Sequence, residues 1–154
     1  MLTSLKLIDL VEKNAEVIAR GWIAVVKTNK RTTHYHNLPS EKLISQAIEF
    51  YHQLRNMLMS SNTFEETQEY FVGYAKTCYE EGIPLYEAIY ALILMRRQMW
   101  LFAEFQAVFV TVVEHQQAID SITRTILVMD YAVYKITQCY MELMNKELMQ
   151  KSKP

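Results

Sequence analysis

Leu5, Ile8, Val11, Ala15, Ile18, Trp22 and Val25 recur at alternating steps of three and four, so one long helix is expected over about Thr3 to Thr28 with that stripe facing a core. The polar run Asn29 to Pro39, NKRTTHYHNLP, ends it. Ser40 then precedes Leu43 and Ile44, and its hydroxyl suits the cap of a second helix. Thr63, followed three residues on by Glu66, has capping-box spacing and opens a third helix carrying Tyr70, Phe71, Tyr74 and Cys78. Gly82 closes that helix, because glycine takes the left-handed conformation without strain, and Pro84 suits the first turn of a fourth. This fourth helix, Pro84 to about Phe105, is apolar around most of its circumference and belongs at the centre. VFVTVV, Val108 to Val113, is β-branched but has no partner strand nearby and reads as helical. The last helix runs from about Gln117 to Met149, with Ile119, Ile122, Ile126, Val133, Tyr140 and Met144 on one side. The expected architecture is all-α: about five helices in one bundle-like domain over residues 1–150, with a polar tail at 151–154.

Composition narrows the role. A chain of 154 residues can bury most of its apolar surface in one core without disulfides or a metal. Lys and Arg number 16 against 17 acids, which leaves no broad field to attract nucleic acid or an anionic membrane. The apolar runs stop short of the roughly 20 residues that a membrane span needs, so no membrane insertion is expected. Two cysteines, Cys78 and Cys139, lie in helical segments with no secretory pattern ahead of them, which reads as buried, reduced thiols in a cytoplasmic protein.

Two permanent charges stand in the greasiest helix. At about 100° per residue Leu85, Ile89, Leu92, Arg96 and Trp100 share a face, while Arg97 falls on the side of Tyr86 and Tyr90, where a guanidinium can stack on rings and still reach water. An unpaired guanidinium taken out of water costs several kcal/mol, so Arg96 needs a partner. Asp130, set among Ile119, Ile126, Val133 and Met144 on the last helix, is the expected one. The alternatives are that Arg96 faces a cavity and meets an anionic or carbonyl-bearing ligand there, or that it snorkels to the surface.

The same stretch, EEGIPLYEAIYALILMRRQMW, resembles the signature of the N-terminal sensory domains grouped with the RsbT co-antagonist RsbRD. That signature has an E-x-G-(I/V)-P-L-x-E element before a helix with an L-x-x-x-R-x-x-x-W-like pattern. IARGWIAVVKTNKRTTHYHNLPSEKL is similar to that family's R-x-W helix end, R-T-x-x-Y loop and L-P turn. The resemblance implies an all-α, globin-like sensory domain ahead of an output module such as a STAS or histidine-kinase domain. This chain then reads as a stand-alone version or as a piece of a longer one. Residues 106–116 depart from the family pattern. The resemblance adds Arg20, Trp22 and Tyr35 to Tyr86, Tyr90, Arg96, Arg97, Trp100 and Asp130 as candidate ligand-binding or functional core residues.

Other chemistry finds little support in the sequence. His34 and His36 form an H-x-H pair in a loop, but a zinc site wants three or four convergent ligands, and His52 and His115 stand apart. Haem would need an axial histidine on a core-facing helix, and none lies between Phe64 and Glu114. No nucleophile elbow, metalloprotease motif or phosphate loop occurs, so neither a cofactor nor an enzyme is expected. Ten tyrosines and nine methionines read first as core and half-buried packing, and second as an adaptable pocket or partner face. The expected function is a non-enzymatic sensory or regulatory domain that changes helix packing when a small ligand or partner binds. The alternative is a carrier for an apolar ligand with a polar head group. Long apolar stripes on the first and last helices suggest a two-fold homodimer.

Overall fold

Asn14 interrupts the first predicted helix. Its side-chain amide donates to the Leu10 carbonyl at 2.8 Å, and its backbone leaves helical geometry at φ −116°, ψ 20°. The Leu10 carbonyl is thus shared between the Asn14 side chain and the Asn14 amide, at 3.2 Å, an arrangement that weakens and bends a helix; α1 (Leu5–Lys13) and α2 (Ala15–Val26) are separate elements. A 3-10 turn follows at Thr33–Tyr35, then α3 (Ser40–Met59), α4 (Thr63–Glu80), α5 (Leu85–Phe105) and α6 (Val112–Lys151). The structure, a computed structural model, describes residues 5–105 and 112–152. Among these there are six α-helices and no strand, so the chain is all-α. The expectation for Val108 to Thr111 lies outside the described residues, while Val112 and Val113 open α6.

The two predicted caps fail. Pro39 occupies the position before α3, and no side chain caps that end. At α4 the capping position is Asn62, one residue ahead of Thr63, whose hydroxyl donates instead to the Ser60 carbonyl at 3.1 Å. The C-terminal stop of α4 is as expected. Gly82 sits at φ 75°, its amide bonds the Tyr79 carbonyl at 3.0 Å, and the Ile83 amide bonds the Cys78 carbonyl at 3.0 Å. This crossed pair satisfies carbonyls that a helix end would leave bare.

α5 is the central element. Ala88 and Ala91 are fully buried, and large rings from other helices reach past their small side chains to the backbone. Trp22 Nε1 of α2 donates to the Ala91 carbonyl at 2.9 Å, Tyr51 of α3 to Met95 at 2.7 Å and Tyr74 of α4 to Ala88 at 2.8 Å. Tyr140 of α6 donates to Ile83, just ahead of α5, at 2.8 Å. Each buried ring thereby delivers its apolar area and satisfies its one polar hydrogen.

Neighbouring helices α3 and α4 run antiparallel, tied at Lys42–Glu81 and at Phe50–Phe71, whose ring centroids lie 6.4 Å apart. α6 instead lies parallel to α4, with Phe64 against Tyr131 at 4.8 Å and Tyr79 against Tyr140 at 5.5 Å. Val128, Met129, Ala132 and Ile136 form the buried side of α6. Beyond Tyr140 one edge of the helix stays against α4, where the Tyr79 hydroxyl donates to Glu147, while Met141, Met144, Leu148 and Met149 are exposed.

Candidate functional site

The motifs that carried the family resemblance meet at one junction. Asn29 starts the turn with its side-chain oxygen on the Arg31 amide at 2.8 Å, and Thr32, fully buried, donates its hydroxyl to the Val26 carbonyl at 2.8 Å. This brings Tyr35 into the core, edge-on to Trp22 with centroids 6.1 Å apart, and sets His34 against the first turn of α5. There the Glu87 side chain, 1% exposed, accepts from the His34 amide at 2.9 Å and contacts the His34 ring at Nδ1. A carboxylate only accepts, so the ring form with hydrogen on Nδ1 is the one held. Trp22, Tyr35, Gly82 and Glu87, all motif residues, are thus parts of the scaffold.

The expected pair of Arg96 and Asp130 does not form. Asp130 is exposed on α6, Arg96 is half-buried on the flank of α5, and neither enters an ion pair among the described residues. The buried arc of α5 is centred near Ala91 and Met95, which puts Arg96 at its edge with Ile89 and Trp100, also half-buried. Arg97 is exposed and hydrogen-bonds the half-buried Tyr90, as its predicted side of the helix requires. That bond, with Arg31 stacked 6.0 Å from the ring centroid, lowers the Tyr90 phenol below its ordinary range. Tyr86 is exposed, and Arg20 is solvent-facing beside Glu16 at 2.9 Å. The nine candidates therefore divide between core, α5 flank and open surface, and do not line one pocket.

Both cysteines are free and buried, as expected. Cys78 lies 3.9 Å from the Tyr35 hydroxyl and 4.0 Å from Gln46 Nε2, and burial pushes its thiol up to about 11. Above this cluster a cleft of about 480 Å³ opens between α3 and α4, lined by Gln46, Glu49, Glu69, Tyr70 and Gly73. Its one lysine, Lys42, is already held by Glu81.

A second cleft of about 270 Å³ lies between α4 and the C-terminal part of α6. Val72, Leu143 and the buried Cys139 form its apolar side, and Lys76, Lys135 and Lys146 its rim. None of these lysines enters an ion pair among the described residues; Lys135 Nζ donates to Gln138 at 2.9 Å. Against three ammonium groups stands the single carboxylate of Glu142, so the cleft is suited to an anion with an apolar body. Burial raises the Cys139 thiol even with Lys135 close by.

Sequence reasoning missed Glu87 and the lysine rim. The first had a signal: Glu87, Ala91 and Leu94 share one apolar face of α5, which makes Glu87, and not Arg96, the out-of-place charge of that helix. The rim had none, since Lys76 and the other two lysines sit on different helices. Among the described residues no three His, Cys, Asp or Glu side chains gather as metal ligands, and no helix is long and apolar enough to cross a membrane. No family model matches the chain, and no curated protein or solved structure proves similar to it.

Proposed function

We propose that the chain is a cytoplasmic, non-enzymatic sensory or regulatory domain of the RsbRD N-terminal kind, acting as a homodimer. A small anionic ligand with an apolar part enters the cleft between α4 and α6 and alters how the C-terminal part of α6 packs on α4; an output module or partner protein reads that change. The supporting observation is the place of the cleft: its lysines, which enter no ion pair among the described residues, and its apolar floor lie between α4 and the C-terminal part of α6, the stretch that the Tyr79–Glu147 bond ties to α4. A ligand shifts a packing equilibrium only if it binds one packing better than the other, and a group wedged between two helices does so.

Decanoate, a carboxylate with an apolar chain, is the probe. At 100 times its Kd a ligand of the folded state adds about 2.7 kcal/mol of stability, read as a rise in melting temperature. The double variant Lys76→Gln, Lys146→Gln should lose that rise while keeping its own melting temperature. No rise in the native protein, or the same rise in the variant, would remove this cleft as the site. The apolar floor formed by Val72 and Leu143 also favours a second reading, a carrier for an apolar ligand with a polar head. A carrier would bind decanoate with no change in the spin-label distance between α4 and the end of α6.

A further inference from the structure

Four of the residues by which the sequence marks a core-facing side of α6, Ile119, Ile126, Val133 and Met144, are exposed, whereas Tyr140 at its edge is buried. Ile119, Ile126, Val133, Tyr134, Met144 and Leu148 are between 38% and 63% exposed, and with Leu127 and Met141 they form one arc of about 120°. The arc runs from Ile119 to Leu148, about 45 Å of helix. These eight residues leave on the order of 800 Å² open, more than a typical monomer's largest apolar patch and about what one partner contributes to a stable interface. Asp130 is the charge within it.

The spacing selects the occupant. Forward from Ile119 the stripe steps 4, 3, 4, 3 through Thr123, Ile126 and Asp130 to Val133. Backward from Leu148 it steps 4, 3, 4, 3 through Met144, Met141 and Thr137 to Tyr134. It reads alike in both directions about a centre between Val133 and Tyr134. We propose that this face binds a second copy of itself, antiparallel, with the two-fold axis at Val133–Tyr134. Ile119 then meets Leu148 of the other copy, Ile126 meets Met141, and Asp130 meets the Thr137 hydroxyl, a donor for its carboxylate. A parallel, in-register pair would instead set the two Asp130 carboxylates against each other in an apolar seam, and like charges so placed repel. The break in the heptad at the centre fixes the register, because a slide by one turn sets apolar positions against polar ones.

This deepens the self-association proposed above and fails separately from it. Sedimentation equilibrium of the intact chain at micromolar concentration should give twice the 18.2 kDa chain mass. Tyr134→Glu puts two carboxylates on the axis and should weaken association roughly 100-fold or more. Tyr134 is 56% exposed, so the helical circular dichroism of that variant should be unchanged. Mixed Ile126→Cys and Met141→Cys proteins should form a disulfide between unlike chains, and neither should cross-link with itself. Self-cross-linking of Ile126→Cys would overturn the antiparallel arrangement. A dimer indifferent to Tyr134→Glu would place the interface elsewhere, keeping the homodimer and removing this face. A monomer mass would end both.

Discussion

Gly73 and Gly82 belong to the same helical hairpin and answer to different demands. Gly82 holds φ 75°, where a Cβ strains against the backbone, so Gly82→Ala should destabilise the fold by about 1–2 kcal/mol. Gly73 lies inside α4 with nothing within 4 Å of where a Cβ would be. There, Gly73→Ala should stabilise by about 0.5–1 kcal/mol, because alanine loses less backbone entropy on entering a helix. Denaturant melts of the two variants should move in opposite directions, and a loss at both would show that the α3–α4 cleft beside Gly73 is tighter than its open space suggests. The stop at Gly82 was legible in the sequence because a glycine before proline at the end of a periodic run has one physical explanation. The caps were less so: Ser40 and Thr63 have the right chemistry, but the chain enters each helix one residue away from where that chemistry could act.

At the scale of elements, the all-α class and the order of the helices were readable from periodicity, whereas the division of the first helix into α1 and α2, which makes six where about five were expected, and the faces of α5 and α6 were not. A hydrophobicity wheel gives weight to Leu, Ile and Trp, and the true inner face of α5 is marked by Ala88 and Ala91, small where the Tyr74 and Trp22 rings reach the backbone. The wheel therefore turned, carrying Arg96 inward and leaving Glu87 unnoticed. On α6 two apolar faces compete, and the more uniform one, Ile119 to Leu148, is open. The short break at Asn14 escaped notice because an asparagine inside a heptad-like stripe is common on solvated faces. The junction of the 29–39 loop with α5 gives its own test. His34→Ala leaves the buried Glu87 carboxylate with the backbone amide at 34 as its one remaining partner among the described residues, and should cost about 1–3 kcal/mol. His52→Ala, at an exposed site on α3, should stay within about 0.5 kcal/mol. Equal chemical-denaturation midpoints for the two would mean that the imidazole contributes nothing to holding Glu87.

For the whole molecule, the buried phenols set an upper limit of pH. Burial raises the Tyr35, Tyr51 and Tyr74 hydroxyls well above their ordinary range and the Cys78 thiol to about 11. Raised acids stay protonated in the fold while the unfolded chain, with values of about 10 and 8.5, loses its protons. Their stabilisation is complete below those unfolded values and is lost as pH rises toward the folded ones, at about 1.4 kcal/mol per unit for each group. Circular dichroism and tyrosinate absorbance should therefore change together in one cooperative step above about pH 10; gradual tyrosinate formation with the helices intact would contradict this burial. A different consequence follows from the parallel run of α4 and α6. The bonds that tie α6 to the α3–α4–α5 body span 57 to 68 positions of chain. At about 5–20 residues per second of synthesis, α4 waits several seconds for the helix that will cover it. Over that interval the side of α4 that carries Phe64 and Tyr79 is open to any other apolar surface in the cell. The nascent hairpin is thus a natural client for a chaperone, and a stalled or truncated chain a natural seed for aggregation.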